Sequence, residues 1–216
     1  MKIAKADIED FGSRLRALGG RVAFPDIYKD QYIDIEEFFL DATIYIYEDT
    51  RLAIAIENWI YTFGFIISPA KVKNLIKHDR LYDSSALAVF CEIISKNDKK
   101  QIKIDCLRPY FKKKAKLTRR SSKLSNIKIS NPDPLWKQYN ILTPKFKSET
   151  KKNLLQFNYI FDHSPEIKNR TLGISVVDAD YQAYLKKEGN KKSLNQIAKE
   201  IHAHYSNLHK VYTRLK

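Results

Sequence analysis

The side chains with the widest chemical range are five histidines, His78, His163, His202, His204 and His209, and two cysteines, Cys91 and Cys106. A zinc centre takes three or four such ligands at short spacing. Two cysteines cannot make a zinc ribbon, no histidine pair stands near them at ligand spacing, and Glu200, His202 and His209 do not fit the H-E-x-x-H pattern. His202 and His204 are two apart where the chain reads as a turn, so they are taken as polar turn residues. Asp162-His163 precedes Ser164-Pro165 and reads as a loop leading into a capped helix rather than as a nuclease pair. Asp178 and Asp180 fall at an expected helix start, where the helix dipole favours acids. The chain has six glycines and no glycine-rich phosphate loop. These residues predict no catalytic constellation, no metal and no cofactor.

The second kind of chemistry is charge. The 216 residues carry a formal net charge of +14, an excess that suits polyanions, because each Lys or Arg meeting a phosphate releases condensed counterions. It is unevenly placed: residues 1–107 carry a net −2, residues 108–168 a net +11 and residues 169–216 a net +5. The run RPYFKKKAKLTRRSSKLSNIKISNPDP, residues 108–134, has no sustained apolar period and reads as a basic linker or arm. Its Lys112, Lys113, Lys114, Lys116, Arg119, Arg120 and Lys123 are expected phosphate contacts. Tyr110, Phe111 and Trp136 lie in or beside this run; they are suited to stacking on unpaired bases, and packing is the expected role.

The apolar periodicity sets the elements that must hold these residues. A helix is expected over 7–18 from Ile8, Phe11, Leu15 and Leu18, stopped by Gly19-Gly20. Others are expected over 34–47, over 51–63 with Leu52, Ile56, Trp59, Ile60 and Phe63 on one stripe and Gly64 as its end, over 69–77 behind a Ser68-Pro69 start, and over 84–95. Cys91 lies in the apolar run 86–94 and is expected in the core. The alternation K-Q-I-K-I-D at 100–105 reads as a strand, which leaves a winged-helix variant open beside a plain helical bundle. A helix over 151–161 and a short strand or buried extended piece over 171–177 complete the middle.

The C-terminal segment SLNQIAKEIHAHYSNLHKVYTRLK is the most informative. Ser193 and Gln196 form a capping-box pair. Ile197 and Ile201 share one face, Ala198 is small where a second helix must come close, and Leu208, Val211 and Leu215 form a stripe after a turn at 202–204. This stretch, 193–215, resembles the bacterial helix-turn-helix family through Ile197, Ala198, Ile201 and Leu208. Departures are His202 where the family turn usually has glycine, Ala203 at the usual apolar turn residue and His204 at the usual small polar cap, with Ser206 able to cap a later start. A preceding helix over 180–188, with Tyr181, Tyr184 and Leu185 inward and Gly189 as its stop, would complete a tri-helical unit. The resemblance implies that the second helix enters the major groove, with Tyr205, Ser206, Asn207, His209 and Lys210 as base contacts and Lys191, Lys192 and Arg214 on phosphates.

The expectation is therefore a mainly α protein with three parts: a helical core or partner-binding domain over 1–107, a basic linker or arm over 108–134, and a basic C-terminal domain over 135–216 ending in the helix-turn-helix. Its expected function is sequence-specific binding of double-stranded DNA as a prokaryotic transcriptional regulator, with a weaker likeness to antitoxin-type repressors and a homodimer or partner protein met through 1–107. The alternatives are a nonspecific nucleic-acid-binding accessory protein of replication, plasmid maintenance or phage origin, and an RNA- or DNA-processing enzyme. MKIAKADIEDFGSRL has no signal-type apolar stretch and no window of 18 uncharged apolar residues occurs, so a cytoplasmic protein without a membrane span is expected.

Overall fold

A computed structural model describes residues 4–97, 104–112, 116, 118–119, 129, 131–145 and 154–215. The chain is mainly α-helical. Five helices come first: α1 (Lys5–Ala17), α2 (Ile35–Tyr45), α3 (Thr50–Phe63), α4 (Pro69–Lys77) and α5 (Ser84–Asn97). Their starts are local chemistry. The Asp34 carboxylate accepts from the amides of Glu36 and Glu37, Asp49 from those of Arg51 and Leu52, and the Ser68 hydroxyl from that of Lys71 with Pro69 behind it. α3 ends at Phe63 with Gly64 as its C-cap, as expected, and the chain then tightens into a 3-10 turn, Gly64–Ile66; the glycine is needed for packing, since a Cβ there would lie 2.5 Å from Ile94 Cγ1.

Aromatic rings tie these helices together. Phe11 stacks on Phe38, Phe38 meets Trp59 edge-on, and Phe39 packs on Phe90. The buried Trp59 indole donates to the Leu18 carbonyl at 2.9 Å, closing α1 over α3. Cys91 is in this core, and burial raises its thiol pKa; Cys106 is exposed.

The boundaries expected at 107 and 135 are not those of the packing. α6 (Pro134–Gln138), α7 (Phe157–His163) and α8 (Pro165–Thr171) bury Trp136, Ile160 and Ile167 in the same core as α1–α5. Leu154 bridges Gly20 antiparallel, the Leu155 amide donates to the Gly19 carbonyl at 2.9 Å, and Ser164 Oγ donates to the Ala17 carbonyl. Gly19 has φ +93°, and a Cβ there would sit 2.6 Å from Ile160 Cδ1, so glycine meets both a backbone and a packing need.

Several expected elements change. Ile104–Tyr110 is a 3-10 helix rather than the end of a strand; 101–103 lie outside the described residues. The helix expected over 151–161 begins at Phe157, with Leu154 extended before it. The strand expected over 171–177 is the end of α8, a turn at Leu172–Gly173, and the start of α9 (Val176–Glu188). Ser164 does precede α8, but its hydroxyl serves Ala17 instead of capping. The described β structure is one two-residue parallel pair, β1 (Thr118–Arg119) on β2 (Ile141–Leu142), plus isolated bridges, which does not amount to a wing. No single described helix is long and apolar enough to cross a membrane.

A second, smaller core lies under α9, α10 (Leu194–Glu200) and α11 (Tyr205–Leu215), built from Tyr181, Tyr184, Ile197, Ala198, Ile201, Leu208 and Val211.

Candidate nucleic-acid interface

The three last helices form a C-terminal head whose geometry follows from local rules. The Ser175 hydroxyl caps α9, which ends at Gly189 with φ +72°. The Ser193–Gln196 capping box is formed: the Ser193 amide donates to Gln196 Oε1 at 2.9 Å, and the Gln196 amide returns to the serine hydroxyl at 3.4 Å. At its other end α10 closes in a Schellman turn. The Ala203 amide donates to the Ala198 carbonyl at 2.9 Å and the His202 amide to the Lys199 carbonyl at 3.2 Å, with His202 left-handed at φ +50°. α11 starts at once, its first turn closing on the His204 carbonyl, so Ser206 lies inside the helix and does not cap a later start. The His204 ring instead meets the Ser206 hydroxyl, Nδ1 to Oγ 2.8 Å.

Inside, Leu208 is fully buried with Val211, Ile197, Ala198 and Ile201. Leu215, expected on the same stripe, is 49% exposed and takes no part in this core. Outside, all five expected base contacts, Tyr205, Ser206, Asn207, His209 and Lys210, are exposed on one helix. The Tyr205 and His209 rings lie 5.9 Å apart one turn on from each other.

The expected phosphate contacts divide. Lys191 is exposed, and no described carboxylate pairs with it, with Lys199 or with Lys210. Lys192 pairs with Glu200 at 2.7 Å and Arg214 with Asp178, so these two already have intramolecular partners. The Lys192 pair is open to water, where such contacts contribute little, whereas the Asp178 carboxylate that Arg214 meets is buried. In the arm, Lys112 and Lys116 are exposed, while Arg119 contributes backbone to β1. Lys113, Lys114, Arg120 and Lys123 lie outside the described residues. Trp136 is buried, its indole donating to Glu57 at 2.6 Å, and Tyr110 and Phe111 pack against the core, so all three are packing residues.

What periodicity missed is the charged layer beneath the head. Arg170, 2% exposed at its side chain, spans two carboxylates: it donates to Glu36 from both terminal nitrogens, one at 2.9 Å, and to Asp180 Oδ1 at 2.6 and 3.1 Å. Lys71 Nζ lies 2.6 Å from both Asp34 and Asp180 and 3.5 Å from Glu36. Beside them Lys187 meets Glu166 at 3.0 Å, Glu166 accepts from the Ile33 amide, and Glu188 accepts from the Tyr32 amide. Asp180 is therefore not a dipole-stabilised acid at a helix start but the centre of a buried ionic joint. A sequence signal existed: Lys71 precedes Val72 by one residue and Leu75 by four, on the face that α4 buries.

Burial opposes the charges of Asp34, Glu36, Lys71, Glu166 and Arg170. It pushes the Asp34 carboxyl up to about 6, although Lys71 pulls the other way. In Glu36 the same penalty is outweighed by Arg170 and Lys71, which hold its carboxyl down at about 2. Burial also works against the Lys71 ammonium, and Asp34, Asp180 and Glu36 more than restore it. Asp34, Glu36 and Asp180 have oxygens within 4.8 Å of one another, the spacing of a cation site, but those oxygens already face Lys71 and Arg170. The residues present fit a salt-bridged joint rather than a metal centre.

A second tie reaches the turn itself. His202 Nε2 lies 3.1 Å from Glu37 Oε1, and Glu37 lies 3.3 Å from Arg80. The hydrogen bond to Glu37 raises the imidazole pKa against the opposing effect of burial, and the same bond lowers that of Glu37.

No family profile, curated protein or solved structure matches this chain.

Proposed function

We propose that this protein is a sequence-specific binder of double-stranded DNA acting as a transcriptional regulator, with α11 as the helix that enters the major groove. The observation that carries this reading is the turn between α10 and α11. His202, four residues after Ala198, takes the left-handed conformation that helix-turn-helix proteins usually give to glycine, and Ile197, Ala198, Ile201, Leu208 and Val211 are all buried at the spacing that unit requires. The outer face of α11 is left polar and exposed. Asn207 can pair with adenine N6 and N7, and Lys210 can reach guanine or a phosphate. Lys191 and Lys199 supply positive charge at either end of α10.

The test is selection of duplexes from a random pool by the purified protein, followed by binding with excess competitor DNA. One recovered motif that survives competition supports the proposal. Asn207→Ala should relax preference at one base pair, with a loss of about 1–3 kcal/mol on the selected site and an unchanged salt slope. Binding that competitor DNA abolishes would favour the nonspecific accessory role, for which exposed Lys112 and Lys116 speak. No binding to duplex in dilute buffer would refute both.

A further inference from the structure

We infer that His202 is a positioning residue: through Glu37 and Arg80 it holds the helix-turn-helix turn against the α2–α4 body, and the hold is proton-controlled. This rests on the DNA-reading proposal for its purpose, though not for its physics.

Glycine would take φ +50° at the end of α10 without strain, and a side chain there does not. The imidazole is used instead across a gap. Between the end of α4 and the turn lies an open cleft of about 690 Å³, lined by Asn74, His78, Asp79, Lys199 and His204 as well as by His202, Glu37 and Arg80. The joint under α9 is packed and buried, but across this cleft His202–Glu37 is the strut. Glu37 is braced in turn: Arg80 lies 3.3 Å from it and also donates to both Asp41 oxygens, and Asp41 accepts from Arg14 at 2.8 Å. The chain of charges thus runs from the turn through α2 to α1.

The charged surroundings set the direction. From α2, Asp34 and Glu37 favour the imidazolium; from α4, Lys71 opposes it. His78, Asp79, Arg80, Lys199 and His204 face the same cleft. The pair gains strength when His202 is protonated, because a neutral imidazole keeps at most a neutral-donor hydrogen bond to the carboxylate. The hold is therefore full below the ordinary imidazole pKa and is lost as pH rises through the raised one.

The experiment uses the full chain and two variants. Glu37→Gln keeps an acceptor and removes the charge; His202→Gly keeps the turn conformation and removes the tie. Imidazole NMR titration of the free protein should put the His202 midpoint above the ordinary imidazole value, and Glu37→Gln should lower it. Hydrogen exchange at residues 203–208, corrected for intrinsic rates, should lose about two- to fivefold protection from about pH 6 to about pH 8 in the wild type and show no such step in either variant. Binding to a labelled random-sequence duplex of about two helical turns should weaken over the same interval by a similar factor more in the wild type than in Glu37→Gln, whose other histidines are intact. A wild-type His202 that titrates as it does in Glu37→Gln, or turn protection that ignores both substitutions, would overturn the tie while leaving duplex binding standing. Expected titration and exchange with no duplex binding would overturn the DNA reading and with it the positioning role.

Discussion

Replacing Arg170 with methionine tests the ionic joint most directly. Arg170 is the one guanidinium among three buried carboxylates, Asp34, Glu36 and Asp180, whose other cation is Lys71. Methionine fills a similar volume and adds no polar group, so the effect is the loss of charge and donors. Glu36 and Asp180 then share a single ammonium with Asp34. Breaking a buried pair in this way costs about 3–5 kcal/mol, since the desolvated carboxylates lose their compensation. For a chain of this length that is a fall in Tm of about 6–20 °C. Adding Glu36→Gln to Arg170→Met removes one buried negative charge with the positive one, so the excess of carboxylates over cations falls from two back to its original one. The double variant should recover about 1–3 kcal/mol relative to additivity. Urea unfolding at neutral pH measures the totals, and hydrogen exchange locates the loss, which should be largest in α9–α11 because Asp180 anchors α9 to α2 and α4. A single variant that loses under about 1 kcal/mol, or a strictly additive double, would refute the view that the head is held by charge.

Other expectations follow from single contacts. Leu208→Ala empties the centre of the small core and should cost about 2–5 kcal/mol, seen as lost exchange protection in α9–α11 ahead of α2–α5. Gly19→Ala meets both a left-handed backbone and Ile160, so thermal unfolding should report a loss of about 2–4 kcal/mol. The Asp34 carboxyl at about 6 is raised from its usual value, so its charged form is penalised in the folded state; stability should fall as pH rises through that range, and Asp34→Asn, which keeps the α2 cap, should flatten this part of the profile. Lys199→Gln and Lys210→Gln should each lower the salt slope of duplex binding by about one, whereas Lys192→Gln should do less, because Glu200 already neutralises it.

The helices were legible in the sequence wherever a face or a cap repeats within a few residues. The Phe11–Leu15, Leu52–Phe63 and Ile197–Ile201 stripes, the Ser68-Pro69 start and the Ser193–Gln196 box all act within one or two turns, and each formed as the residues imply. His202, a departure from the glycine usual in the family turn, nevertheless takes the left-handed conformation. Tertiary structure decided the rest. Trp136, Ile160 and Ile167 joined the first core, although the charge count set their segment apart, because net charge describes the outer surface and says nothing of where such side chains are buried. The short strand or buried extended piece expected over 171–177 became the end of one helix and the cap of another, since an apolar run that short fits either period. Asp180 reads in the sequence as a helix-start acid, and Lys71 and Arg170 carry no local signature of a partner; contacts that span 109 and 134 residues of chain help turn them into a joint. Short-range order is written in neighbours along the chain, whereas a buried charge is stable only where the fold delivers its opposite, and no local pattern encodes that meeting.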